Sequence, residues 1–421
     1  MTNSEALEYL ESWGERRRAQ NGDLIPVLQA LGSPEKELKY VHVAGTNGKG
    51  SISAMTASVL QAAGFRTGLY TSPHLIRYHE RVQINGEPIP DEAFARLMER
   101  IARAEEGSDV TLTVFQRMTL LAFLYFREEK ADIVVLEVGM GGERDATNVI
   151  PDSELAMIAP IGLEHTAQLG KTVEEIAAVK AGILRPGRPA VAEAQSEEAL
   201  RVIRERAREL GCPFTVADPS CGRILRFDLK EQVFEYKEWK DMELGLAGHY
   251  QYDNAVTVLE GIGQLQERGW KISEKAVREG LARAHWPARF EFVRTDPPFF
   301  LDGAHNPHGV EALEKTIRSY FGEKKLLLIC SIMSDKDRRS MMALMKPHIK
   351  KLFVVRSDSP RSLDAAFLAE DIRQHEGIDA AAAESIDEGL RMILQEQGPD
   401  DIAGSFGCLY LAGALRGRLL R

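Results

Sequence analysis

The chain has 421 residues, 44% apolar and 28% charged, with a formal net charge of −10; that length exceeds one ordinary core and predicts two domains. The acidic balance argues against a nucleic-acid binder, which carries a basic face. No run of eighteen apolar residues and no signal-like opening is readable, so neither a membrane span nor secretion is predicted and the expected location is the cytoplasm.

In chain order, the tight basic run Arg16-Arg17-Arg18 reads as a solvated helix face, with an anion contact as the alternative. Lys39 to Ala44 reads as a buried strand and Ile52 to Ala63 as a helix of small and apolar residues. Between them lies Gly45-Thr46-Asn47-Gly48-Lys49-Gly50-Ser51. Glycines let backbone N–H groups turn toward an anion, the following helix adds its positive end, Lys49 adds a point charge, and Ser51 offers a hydroxyl to magnesium. The common phosphate loop reads G-x-x-x-x-G-K-[ST]; here the spacing is shorter and Gly50 precedes Ser51.

Further strands are predicted at Gly68 to Thr71, Ile133 to Glu137, Leu155 to Ala159 and Pro189 to Ala192, alternating with helices, which is the pattern of a mostly parallel α/β sheet. Alternation over Ile224 to Leu229 and Val233 to Tyr236 predicts an antiparallel hairpin appended to that sheet. Helices are expected near Tyr250 to Gln266 and Ser273 to Ala284. The pattern stops at Pro287, and a second α/β series follows with strands at Phe299 to Asp302, Leu326 to Cys330, Leu352 to Val355 and Asp401 to Gly404. The domains are therefore set at 1–288 and 289–421. Cys212, Cys221, Cys330 and Cys408 show no C-x-x-C pair and no zinc spacing, and read as incidental thiols.

Glu137 closes a buried strand before Gly139, Gly141 and Gly142, and is the first metal candidate, with a salt bridge or helix cap as the alternative. Ser72 and His165 also follow strands of the same sheet; a hydroxyl and a neutral imidazole there suit a second magnesium site, although each residue also has an ordinary structural use. Asp145 to Asn148 suits a turn and a substrate contact. Together these residues make the parts of phosphoryl transfer from ATP. The guanine-reading N-K-x-D signature is absent, which favours ATP over GTP.

These motifs resemble those of the Mur ligase superfamily, in its folylpolyglutamate synthase/dihydrofolate synthase branch. The likeness spans nearly the whole chain: His42 to Ser51, Thr71 to Leu75, Glu80-Arg81, Asn85 to Pro88, Glu137-Val-Gly, Asp145 to Asn148, Gly162 to Thr166, Lys180 to Ile183, Leu301 to Gly309 and Ser334 to Asp337. The resemblance implies a phosphate-loop central domain with a smaller Rossmann-like C-terminal domain. It implies an ATP-dependent amide ligase that turns a folate carboxylate into an acyl phosphate and lets L-glutamate displace phosphate. It implies phosphate binding by Lys49 and magnesium binding by Ser72, Glu137 and His165. Lys180 matches a lysine carbamylated in many relatives. Arg289 is expected on phosphate, Asp302 on the ribose or at the hinge, and His305 toward the amino acid. Gly248, Gln251 and Asn254 resemble a G-x-x-Q-x-x-N segment, with Asn254 near the base. The resemblance further implies domain closure and a monomer.

Several positions depart from the branch's pattern. The opening segment Gly14 to Leu24 differs; Glu143-Arg144 follow Gly142; Gln116 stands in place of glutamate, Glu164 of aspartate and Ala288 of glycine. These departures leave open a paralogue performing the same chemistry on a non-folate acid. A nucleotide-binding scaffold without catalysis is disfavoured, because Lys49, Ser72, Glu137, His165 and Lys180 are all present.

Overall fold

A computed structural model describes residues 1–12, 17–18, 24–108, 110–229 and 231–420. Arg16 and most of the divergent opening segment lie outside these. Arg17–Arg18 forms a two-residue strand parallel to Val110–Thr111, so the helix face expected there is replaced by extended backbone.

The chain divides into two compact units, Met1–Ser220 with Asn254–Arg283, and Cys221–Asp253 with Ala284–Arg421. This differs from a single cut after residue 288, because Cys221–Asp253 groups with the second unit.

The first unit is built on an eight-stranded sheet in the order Phe214–Ala217, Ala190–Glu193, Leu155–Ile158, Tyr40–Ala44, Ile133–Glu137, Thr67–Tyr70, Val82–Ile84, Glu87–Pro88. The first six strands run parallel, Val82–Ile84 pairs antiparallel with Thr67–Tyr70, and Glu87–Pro88 pairs antiparallel with Val82–Ile84. Tyr40–Ala44, Ile133–Glu137 and Leu155–Ile158 are buried at every position, as parallel strands covered on both faces require, which is why they are apolar but for His42 and the terminal Glu137. The helix Lys49–Ala62 buries Ser51, Ser53, Ala54, Thr56 and Ala57, and Ser58 Oγ donates to Gly280 O at 2.7 Å. Small side chains here let that helix lie close against its neighbour Glu274–Arg283.

The second unit carries a six-stranded sheet ordered Glu291–Thr295, Pro298–Leu301, Ala403–Phe406, Leu326–Cys330, Ile349–Val354, Ala380–Ala382. Only the first pair is antiparallel. The segment expected to extend the large sheet is instead a separate antiparallel sheet of three strands, Gly222–Phe227, Gln232–Tyr236 and Trp239–Leu244. Its alternation buries Phe234, Tyr236, Met242 and Leu244. Phe227 packs on Tyr320 with ring centroids 4.6 Å apart, and Gln232 Nε2 donates to Leu246 O and Gly248 O at 2.8 and 2.7 Å. The apolar face thus finds its cover within the second unit.

Candidate functional site

Tyr40–Ala44 delivers the chain to Gly45 at the C-terminal edge of the parallel sheet, where ligand crevices form in such folds. Gly45 has φ +149°, and a Cβ there would lie 2.6 Å from Ala159 Cβ and 3.0 Å from its carbonyl oxygen. Gly48 has φ +84°, with Asn254 Oδ1 2.5 Å from where its Cβ would be. Conformation and space both demand glycine. Thr46 N–H donates to Pro160 O at 2.8 Å, and Thr46 Oγ1 both donates to Gly162 O and accepts from Gly162 N–H at 3.1 Å. The loop is thereby fastened to the segment leaving the next strand. The 14-residue helix Lys49–Ala62 starts three residues earlier than its apolar pattern predicts, so Lys49, Gly50 and Ser51 form its first turn. Its N-cap Gly48 contributes no side-chain cap, and the exposed backbone N–H groups and helix dipole favour an anion. Lys49 Nζ donates to Thr46 O at 3.0 Å, bringing its charge over the loop.

Glu137, 3% exposed, accepts the Ser72 N–H at 2.9 Å. This brings Ser72, just beyond Thr67–Tyr70, to the carboxylate at the end of the neighbouring strand. Hard oxygen donors of this kind fit magnesium. Ser51 and His165 follow Tyr40–Ala44 and Leu155–Ile158 in the same sheet. His165 is exposed, has φ +50° and caps the short helix Thr166–Leu169. Among the described residues, no three His, Cys, Asp or Glu side chains form a metal cluster by themselves.

Lys180 is a buried residue at 4% exposure, whose Nζ donates to Gly45 O at 2.6 Å. Burial first, then the nearby Lys49 charge, lowers its ammonium to about 7, while Glu164 and Asp145 oppose the shift. Sequence reasoning reaches Lys180 only through resemblance, because the pattern of its helix does not reveal that this lysine turns inward.

A buried network behind the site joins the Asp145 to Asn148 turn, legible in the sequence, to His42, a link the sequence does not show. Asp145 Oδ1 accepts Thr147 N–H at 3.0 Å and Thr147 Oγ1–H at 2.6 Å, and Oδ2 accepts Met140 N–H at 2.9 Å, which folds the glycine-rich turn after Glu137. Since the Thr147 hydroxyl hydrogen goes to Asp145, His42 Nε2–H, 2.9 Å away, is the donor to Thr147. Burial lowers His42 to about 3 and keeps it neutral. Burial also raises the Asp145 carboxyl, against its hydrogen bonds from Thr147 and the backbone.

In the second unit, Asp302 Oδ2 accepts Tyr250 Oη–H at 3.0 Å and Phe290 N–H at 2.8 Å, while Oδ1 accepts Ala304 N–H at 2.7 Å. Burial raises its pKa, opposed chiefly by the Arg289 charge. Arg289 lies between Ala288 at φ +57° and Phe290 at φ +49°, so the alanine found in place of glycine occupies the left-handed region. His305 Nδ1 is 2.8 Å from Gly303 O, which assigns the proton to Nδ1. The next residue, Asn306, accepts the Gly309 N–H at 2.7 Å as N-cap of Pro307–Phe321, with proline at its first turn.

Another departure also has a local account. Gln116 Oε1 accepts the Thr113 N–H at 2.8 Å while Thr113 Oγ1 accepts the Gln116 N–H at 3.3 Å. This is a capping box, in which a carboxamide does the work of a carboxylate.

A glycine-bent loop with a lysine, leading from a parallel strand into a helix N-terminus, defines a nucleotide-binding protein of the α/β class. The Mur ligase middle domain matches residues 43–260, and the Mur ligase glutamate ligase domain matches 288–408. The dihydrofolate synthase/folylpolyglutamate synthase of Bacillus subtilis (strain 168) is 36% identical over 415 residues, 94% of each chain. The Mycobacterium tuberculosis folylpolyglutamate synthase complexed with ADP superposes with a TM-score of 0.90 at 29% identity, over 100% of this chain and 98% of that one. Escherichia coli FolC in complex with DHPP and ADP gives 0.87 at 29% identity, again over 100% and 98%. The chain belongs to the Mur ligase family.

Proposed function

We propose that this enzyme joins L-glutamate to a folate at the expense of ATP, extending tetrahydrofolate and also converting dihydropteroate to dihydrofolate. The observation that carries the nucleotide half is the Gly45–Ser51 loop, closed by Lys49 and backed by buried Lys180. The acid half is supported by the likeness to enzymes named folylpolyglutamate and dihydrofolate synthases along 94% of the chain. The same likeness disfavours a paralogue acting on a non-folate acid.

In this reading, Gly45, Gly48, Gly50 and Ser51 present backbone N–H groups and Lys49 its charge to the phosphates of ATP, while Thr46 and Asn47, whose N–H groups are held by Pro160 O, set the loop's shape. The substrate carboxylate attacks the γ-phosphorus and ADP leaves. The glutamate amine then adds to the acyl carbon, and phosphate departs from the tetrahedral intermediate as the amine proton is lost. Ser51, Ser72, Glu137 and His165 would hold two magnesium ions. Bound there, magnesium neutralises charge on the transferring phosphoryl group. Lys180, lowered to about 7, has enough neutral amine near physiological pH to add CO2 and lose a proton, giving an anionic carbamate. Arg289 takes developing phosphate charge, His305 serves the amino acid, and Asn254, beside Gly48, lies along the nucleotide. Asp302 acts on the nucleotide by shaping the Arg289 loop. The reading assigns nucleotide binding to a domain at 1–288 and completion of the ligation to one at 289–421, in a cytoplasmic monomer. Among the described residues, no helix is long and apolar enough to cross a membrane.

The test is ADP release with L-glutamate and magnesium across tetrahydrofolate, dihydropteroate and non-folate acids. Turnover with the two folate precursors is expected. Turnover only with a non-folate acid would overturn the substrate assignment. Light scattering and localisation of a tagged full chain check the remaining assignments.

A further inference from the structure

Arg289 sits in an unusual backbone setting. Left-handed φ angles strain a non-glycine residue, and Ala288 and Phe290 adopt them on either side of it, at +57° and +49°. Two such strains persist only where the surroundings over-determine the conformation, and they mark positions where orientation is used.

The determinants are all in the second unit. The antiparallel pair of Glu291–Thr295 and Pro298–Leu301 stops at Glu291 opposite Leu301. Beyond it, the next rung is made by a side chain, as Asp302 Oδ2 accepts the Phe290 N–H at 2.8 Å. Gly303 N–H donates to Ala288 O at 2.9 Å, and Ala288 N–H to Glu291 Oε2 at 3.0 Å. The Arg289 guanidinium lies across Gly303, where a Cβ would come 2.5 Å from Nη1. Asp302 thus clamps the turn, and one side-chain donor on that carboxylate is Tyr250 Oη, at 3.0 Å.

We propose that Tyr250 is a positioning residue for Arg289: its hydroxyl, donated to Asp302, fixes the carboxylate that holds Phe290 and thereby aims the guanidinium. This rests on the reading of Arg289 as a phosphate contact. Tyr250→Phe removes one oxygen and leaves the ring in place. Asp302 keeps its two backbone donors but loses the lateral restraint, so the turn holding Arg289 gains freedom.

The experiment measures affinity for a non-hydrolysable ATP analogue by calorimetry in the full chain, for Tyr250→Phe, Arg289→Ala and the double variant, with thermal midpoints recorded. Tyr250→Phe is expected to weaken binding about tenfold in the folded protein, and to have no further effect once Arg289 is alanine, since an aiming device without its arginine has nothing to aim. Tyr320→Phe is the structural control. It removes the acceptor of Gly248 N–H in the same region, and should lower the thermal midpoint without the Arg289-dependent change in affinity. Gly303→Ala, whose Cβ would meet Arg289 Nη1 and Leu409 Cδ1 alike at 2.5 Å, replaces Tyr250→Phe should that variant fail to fold, and the part of its loss of affinity that vanishes in the Arg289→Ala background reads the aiming of the guanidinium. Equal affinity of folded Tyr250→Phe and wild type, or an undiminished effect in the Arg289→Ala background, overturns the proposal. Wild type that does not bind the analogue, or Arg289→Ala that binds it normally, instead sinks the reading on which it rests.

Discussion

Two turns in this molecule solve the same problem by opposite means. The phosphate loop places glycine at its bends, Gly45 and Gly48, where positive φ costs nothing and neighbouring atoms leave no room for a side chain. The Arg289 turn places alanine and phenylalanine at its bends and holds them with a buried carboxylate. The first conformation is encoded locally by residue type. The second is imposed from a distance, by hydrogen bonds to Asp302 and from Gly303.

The comparison breaks most sharply at Lys49. Lys49→Ala should reduce ATP turnover roughly 100-fold to 1,000-fold, the scale of losing a charged transition-state contact, with little change in thermal midpoint. Steady-state ADP release beside a melting curve checks this, and a change under tenfold would mean the loop does not hold the reacting phosphates. Gly48→Ala should cost roughly 2 kcal/mol or more of stability, because a left-handed alanine is strained and its Cβ would also meet Asn254 Oδ1 at 2.5 Å. Urea unfolding reads that loss directly.

Lys180 gives a smaller effect with a definite sign. Its folded pKa of about 7 lies below the ordinary lysine value of 10.5. Between those values the unfolded chain binds more protons, so this residue makes stability rise with pH. At and below pH 7 the burial cost is fully present. Lys180→Met should therefore flatten the rise in unfolding free energy between pH 7 and 10; an unchanged slope would show that Lys180 is not desolvated in the folded chain. The smallest effect is expected at the strained turn, where Ala288→Gly exchanges left-handed strain for added chain entropy and should stabilise by roughly 0.5 kcal/mol. A lower urea midpoint would contradict strain at Ala288.

What the sequence reveals follows the same division. Ile133–Glu137 and Leu326–Cys330 form strands over the residues their apolar runs predict, because buried parallel strands need nothing but continuous hydrophobicity. The glycines, Lys49 and Ser51 point to a phosphate loop by residue type between a strand and a helix, although their spacing is not the common one. Alternation in Ile224–Tyr236 identifies antiparallel strands but not their partner, which depends on where Tyr320 and Gly248 stand in the fold. The edge strand Glu291–Thr295 is hard to read because its residues are half-buried and a register shift between Phe292 and Arg294 interrupts its period. The sequence singles out Asp302, but its hydrogen-bond partners Tyr250, Phe290 and Ala304 are set by tertiary geometry. The His42, Thr147 and Asp145 chain joins residues over 100 positions apart and leaves no local trace.

The most direct measurement follows oxygen. With the acid substrate's carboxylate labelled with heavy oxygen, full-length enzyme, ATP, magnesium and L-glutamate, an acyl phosphate carries one labelled atom into the released phosphate for each amide formed. The account predicts that stoichiometric transfer. Amide formation with unlabelled phosphate, or ATP hydrolysis without amide, would contradict it.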